Sequence, residues 1–192
     1  MKFLKPTLFI LLALLCGLGV GVYRIAGIEH SEVFFTNGSW TGSKDLPLGK
    51  DKLLTAQASV FALFALPSKE AVYLFARRDE KKELLNSAND YTITGNLNQI
   101  NAKYWSITAY GKDLYLIPNP AERYSFNNAN LVADSAGNFT ITVSHVKKGD
   151  NWLPAPDNAR FNLVLRIYKG DFNFISGLET ASLPEIKKLQ TP

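Results

Sequence analysis

From Ala71 onward the apolar residues tend to fall at every second position, the spacing of a strand with one buried face. Tyr104 to Tyr110 sets Trp105, Ile107 and Ala109 on one face and Tyr104, Ser106, Thr108 and Tyr110 on the other. Phe161 to Tyr168 does the same, with Phe161, Leu163, Leu165 and Ile167 opposed to Asn162, Val164, Arg166 and Tyr168. Shorter strand-like runs are Ala71 to Ala76, Tyr91 to Thr94, and Leu114 to Ile117, which Pro118 and Pro120 end. Leu131-Val132 and Phe139 to His145 flank Asp134-Ser-Ala-Gly-Asn138, a hairpin signal. Arg77 to Glu83 reads as a solvated charged turn. Six or more short strands with regularly spaced turns predict a mainly β, antiparallel β-sandwich.

Before residue 70 the pattern differs. Leu53 to Leu66 runs without charge, starts after Asp51 and stops at Pro67; it is too short to span a bilayer and predicts one α-helix packed against the sheets. Thr7 to Tyr23 is an uncharged run between Lys2, Lys5 and Arg24. At 1.5 Å per residue it covers roughly 25 Å, and Phe3, Leu4 and Ile25 to Ile28 extend it toward a hydrocarbon core of about 30 Å. The favoured reading is an N-terminal transmembrane helix. A cleaved signal peptide is the competing one, although no Ala-x-Ala site follows the run. Cys16 follows bulky Leu15, against a lipid-attachment site, and Gly17, Gly19 and Gly21 lack the preceding strand of a dinucleotide loop. The organisation expected is an anchor or uncleaved signal over 1–28, a linker and first loop over 29–52, a β-sandwich domain over 53–182 and a loose polar tail over 183–192.

Charge removes one class of partner. The chain of 192 residues carries a formal net charge of +4, but Lys2, Lys5 and Arg24 leave 18 basic against 17 acidic residues in everything that follows. No basic footprint for nucleic acid results. The lysines before the apolar run place the N-terminus in the cytoplasm and the domain outside, hence a single-pass bacterial inner-membrane protein facing the periplasm or exterior. The one cysteine, Cys16, leaves the domain to fold without disulfides.

Chemistry is sparse. His30 and His145 are the only histidines, with no Cys-x-x-Cys or His-Glu-x-x-His, so no metal or cofactor site is expected. His145 continues the face of Phe139, Ile141 and Val143 and reads as a core or rim residue. Ser106 or Ser144 with His145 and Asp150 could make a triad on paper, yet Ser144 and His145 point to opposite faces of a strand and no Gly-x-Ser-x-Gly elbow is present. Asp90, Asp113, Glu122 and Asp150 fall at strand ends without a spacing that selects a pair.

Four runs in order carry a resemblance: Trp105-Ser-Ile-Thr-Ala-Tyr110, Asn119-Pro-Ala-Glu-Arg-Tyr124, Asn151-Trp-Leu-Pro-Ala-Pro156 and Leu165-Arg-Ile-Tyr168. They resemble the C-terminal domain of family 1214 in the domain-of-unknown-function series, in a short membrane-anchored form. The resemblance covers about Leu53 to Tyr168 and implies a jelly-roll-like sandwich. Relatives tend to have a glycine in the turn after Ala76, whereas this chain has Asp79-Glu-Lys-Lys-Glu83.

The functional expectation is a polar cleft at one end of the sandwich. Arg123 and Arg166 would donate to an anionic or glycan-like ligand, Tyr110, Tyr124 and Trp152 would supply stacking surfaces, and Asn119 and Asn151 would line the loops. The competing structural reading has the prolines fixing loops, both arginines bonding carbonyls and the tryptophans filling the core. The leading function is binding of a small polar ligand or an envelope partner without catalysis. The alternatives are a hydrolase of envelope glycans or esters and a structural subunit docking on another membrane protein.

Overall fold

The computed structural model describes residues 4–26, 33–44, 51–53, 55–56 and 66–189. Its contacts divide into two units, Met1–Phe34 with Asp45–Ala65, and Phe35–Lys44 with Leu66–Pro192. In the first unit, helix α1 (Leu4–Ala26) tolerates Pro6 because a first-turn amide has no intrahelical acceptor to lose. Its stretch Thr7–Ile25 is long and apolar enough to cross a membrane, and the side chains there are not buried by protein. At the predicted second helix, the Thr55 amide donates to the Asp51 carbonyl at 2.9 Å and the Thr55 hydroxyl to the same oxygen at 2.6 Å. Residues 52, 53, 55 and 56 are helical; the rest of the run to Ala65 lies outside the described residues.

The second unit is mostly β. Its strands are β1 (Phe35–Asn37), β2 (Trp40–Gly42), β3 (Ala71–Ala76), β4 (Tyr91–Asn96), β5 (Ala102–Gly111), β6 (Ser125–Asn127), β7 (Asn138–Ser144), β8 (Trp152–Pro154), β9 (Phe161–Gly170) and β10 (Glu185–Lys188). A short helix α2 (Phe172–Ser176), capped by the Asp171 carboxylate, follows β9. One sheet has the order β1-β2-β3-β9-β5-β6 and the other β10-β4-β7-β8. The predicted alternation sets the packing. Trp105, Ile107 and Ala109 of β5 and Leu163, Leu165 and Ile167 of β9 point inward and join one apolar cluster with Ile93, Ile141 and Val143 of the other sheet. Trp105 meets Phe139 and Tyr91 meets Phe161 across the sheets, each pair with ring centroids 5.6 Å apart. The arrangement is sandwich-like.

Pairing is antiparallel throughout except between β7 and β8, which run parallel. Parallel neighbours ordinarily need a long crossover. Here Thr142 faces Trp152, so the chain doubles back by only a few residues, and the loop 145–151, with Gly149 at φ 68°, suffices.

Several expectations are corrected. Leu114 to Ile117 is not a strand: Leu114 has a left-handed φ of 65°, and only an isolated bridge joins Tyr110 to Leu116. Leu131-Val132 is not one either, because the Asn151 side chain takes the partner's place at Val132. The linker is structured in its middle, where β1 and β2 form and Trp40 is 1% exposed in the core. The tail is structured too. Glu185–Lys188 pairs with β4 and buries Ile186 completely, a strand whose single apolar side chain left no pattern to read. His145 lies beyond the end of β7 and is exposed. In the charged turn Asp79 is fully buried, its Oδ1 accepting from the Lys81 and Glu83 amides at 3.0 Å each.

Trp105→Ala should destabilise by about 3–5 kcal/mol, the range for truncating a buried aromatic, while Ser106→Ala on the opposite face should change stability by about 0.5 kcal/mol or less. Urea melts check this; equal losses would contradict the register.

Candidate functional site

The outward face of the six-stranded sheet follows from its register. Across the middle, Tyr73 of β3 faces Arg166 of β9, which faces Ser106 of β5. One row away Tyr168 faces Tyr104, and on the other side Val164 faces Thr108, with Tyr110 opposite Asn162. Four tyrosines therefore surround one arginine on a central strand. Ser106 and Thr108 are 6% and 4% exposed, although they lie on the face away from the core.

Arg166 is held in place. One terminal nitrogen donates to Thr108 Oγ1 at 2.9 Å, the other donates to the Tyr110 hydroxyl, and the guanidinium carbon sits 5.2 Å from the Tyr110 ring centroid. These two bonds use two of five donors. Among the described residues no carboxylate pairs with it. Burial pushes the Tyr73 phenol above its usual range, the adjacent Tyr168 adds to that, and the Arg166 charge opposes it. The Tyr104 and Tyr168 rings lie 5.7 Å apart, tilted by 51°. A groove of about 740 Å³ opens over this surface, with Arg166, Ser106, Thr108, Tyr104 and Tyr168 in its walls and Lys103, Lys169 and Glu70 also lining it. Its size suits a small organic ligand. Donors, hydroxyls and ring faces can bind and orient an acid or a sugar there.

Of the predicted residues, Tyr110 and Arg166 come together in this way. The other five do not join them. Arg123 is exposed. Its guanidinium does reach the loop before Trp152, donating to the Asp150 carbonyl at 3.3 Å, and lies 5.0 Å over the Phe126 ring, so it bridges the open edges of the two sheets. A smaller hollow of about 350 Å³ beside it includes Tyr124 and Ser125. Asn119 braces its own turn, donating to the Ile117 and Arg123 carbonyls and accepting from the Arg123 amide. Asn151 is 9% exposed; it accepts from the Val132 amide and donates to the Val132 and Thr140 carbonyls. The Trp152 indole N–H donates to the Ser144 carbonyl and hydroxyl, at 3.0 and 3.1 Å. Ser144 is fully buried and its hydroxyl donates to the Val146 carbonyl. Among the described residues no cluster of His, Cys, Asp and Glu could hold a metal.

The structure adds Tyr73, Tyr104 and Tyr168 to Tyr110 and Arg166. Alternation had already assigned Tyr104 and Tyr168 to the outward face. Tyr73 was hidden because Ala71 to Ala76 is apolar at nearly every position.

Residues 70–172 match a family model described as protein of unknown function, DUF1214. Among solved structures the chain is similar to the VPA0106 protein from Vibrio parahaemolyticus. The two are 28% identical with a TM-score of 0.61, over 73% of this chain and 36% of that one. An uncharacterised protein from Burkholderia cenocepacia is 17% identical, with a TM-score of 0.43, over 88% of this chain and 40% of that one. The chain thus spans little more than a third of the length of the Vibrio protein. No curated protein matches it significantly.

Asn151→Ala should cost about 2–3 kcal/mol, because it strands buried backbone groups at Val132, whereas Arg123→Ala should cost about 1 kcal/mol or less. Thermal melts of the two variants check the order; a larger loss for Arg123 would make it the main clamp between the sheets.

Proposed function

The chain belongs to the DUF1214 family of proteins of unknown function, and from the geometry of its larger sheet we propose that it is a membrane-tethered binding protein for a small anionic or glycan-like ligand. The observation that carries this is Arg166. A guanidinium at the centre of a sheet, partly withdrawn from water and without a described acidic partner, is costly to keep. Thr108 and Tyr110 orient it and leave donors free for an incoming carboxylate, phosphate or pair of hydroxyls. The surrounding tyrosines offer ring faces and hydroxyls, which suits a sugar acid. Of the residues that sequence reading marks, Tyr110 and Arg166 form the binding fork. Asn119, Asn151, Trp152 and Arg123 hold loops and sheet edges apart from that fork, and Tyr124 borders the smaller hollow.

Apolar helix α1 is the tether. Lys2 and Lys5 before it favour a cytoplasmic N-terminus, with the β domain in the bacterial envelope, facing the periplasm from the inner membrane. An alkaline phosphatase fused after Pro192 should then be active, and a fluorescent protein that folds only in the cytoplasm should stay dark; the opposite pair of results reverses the topology.

For the site, thermal unfolding of the full chain in detergent should rise with added glucuronate. Arg166→Lys should fold as the wild type does and bind glucuronate about tenfold more weakly, since an ammonium cannot reproduce the fork. Equal responses of the two proteins, or no response of the wild type to glucuronate, acetate or phosphate, would remove the proposal.

A further inference from the structure

The end of the groove beyond Tyr104 and Tyr168 carries two lysines that strand alternation assigns to the core. Lys103 precedes inward-facing Trp105 by two residues, and Lys169 follows inward-facing Ile167 by two. Both are exposed and both line the groove. The register is unbroken, since Ala102 faces Gly170 and Tyr104 faces Tyr168, yet Lys103 and Lys169 form no pair between them. Lys169 has a left-handed φ of 48°, which for a residue with a side chain costs about 1–2 kcal/mol. That backbone turns the side chain away from the core. Its amide donates to the Glu70 carbonyl at 3.0 Å, which fixes the turn.

We propose that the groove takes a ligand with two acidic groups, one on the Arg166 fork and the other between Lys103 and Lys169. This deepens the binding reading above and rests on it. Arg166 and Lys169 are three residues apart on β9, and Ser106, opposite Arg166, is three residues from Lys103 on β5. At the rise of a strand each interval is roughly 10 Å. Between the two ends lie the Tyr104 and Tyr168 rings, with Tyr104 39% exposed, so the spacer joining the acids passes over aromatic surface and is itself apolar or planar. The described neighbour of Lys169 is Glu70, whose carboxylate stands 4.0 Å away with both side chains well exposed. So loose a pair is weak and leaves the lysine available to a second anion.

Isothermal titration of the full chain in detergent micelles compares suberate, an eight-carbon dicarboxylate, with monomethyl suberate, which has the same length and one charge fewer. Suberate should bind about two- to fivefold more tightly, the gain from one additional partly exposed charge pair. Lys103→Gln with Lys169→Gln should bring suberate to the level of the ester, while Arg166→Lys weakens both. Each single lysine variant should lose part of the preference, which keeps the test readable should the double variant unfold. Equal affinity of the wild type for the two compounds, a preference that survives the lysine substitutions, or binding of neither compound would overturn the inference. If glucuronate still binds through Arg166 in those cases, only the two-acid reading falls.

Discussion

The long antiparallel pairing of β5 with β9 is the constraint on which the rest of the second unit depends. It runs from Ala102–Gly170 to Gly111–Phe161, interrupted only at Lys103 and Lys169, and from Tyr104 to Gly111 each side chain is committed to one of two environments. The inward set includes Trp105, Ile107, Leu163, Leu165 and Ile167, all at most 1% exposed, and those residues receive the second sheet. A slip of one residue would drive Arg166 and Tyr168 into the core and bring Trp105 into water. The same pairing that builds the core therefore positions the outward arginine and its tyrosines, and neither face can shift without the other.

That coupling gives the groove a rigid floor. β9 lies between β3 and β5, with antiparallel partners on both sides, so the Arg166 backbone is fixed from two directions. Its side chain is then held by Thr108 and Tyr110 from the neighbouring strand. A site on strands, with its side chains already bonded, loses little freedom when a ligand arrives.

Much of the second unit was legible because alternation and burial are the same fact seen twice. Ala71–Ala76 is a strand with the bounds the sequence predicts, and β5 and β9 extend their predictions by a few residues. What escaped were elements whose identity lies in a partner far along the chain. β6 and β8 are three residues each, too short for a period to show, and β10 offers one apolar residue, Ile186, between charges. Leu131-Val132 looked like a strand because it is apolar and does bond like one, though its partner is an amide side chain. The site was half legible. Tyr110 and Arg166 could be named because their runs are distinctive, but their meeting depends on register, which no local pattern states. Arg123 has an equally distinctive run but sits at a sheet edge. Asp79 shares a run of charges that predicts a solvated turn, whereas it closes the turn after β3 from the inside.

The Trp40 indole is enclosed in the core and donates at 2.7 Å to the carbonyl of Pro184, a contact that spans 144 positions of sequence. The β1–β2 hairpin beside it is likewise tied to the far end, through Asn37 and the carbonyls of Leu178 and Ala181. During synthesis Asn37 and Trp40 emerge early, and their side chains must wait for residues 178–184 before their acceptors leave the ribosome. The nascent domain consequently holds an unsatisfied tryptophan indole for most of its translation, roughly 7–30 s at the usual elongation rate of about 5–20 residues per second. Clipping a few residues before Lys188 would remove β10 and loosen the beginning of the domain together with its end, so this protein should be sensitive to C-terminal trimming far out of proportion to the mass removed.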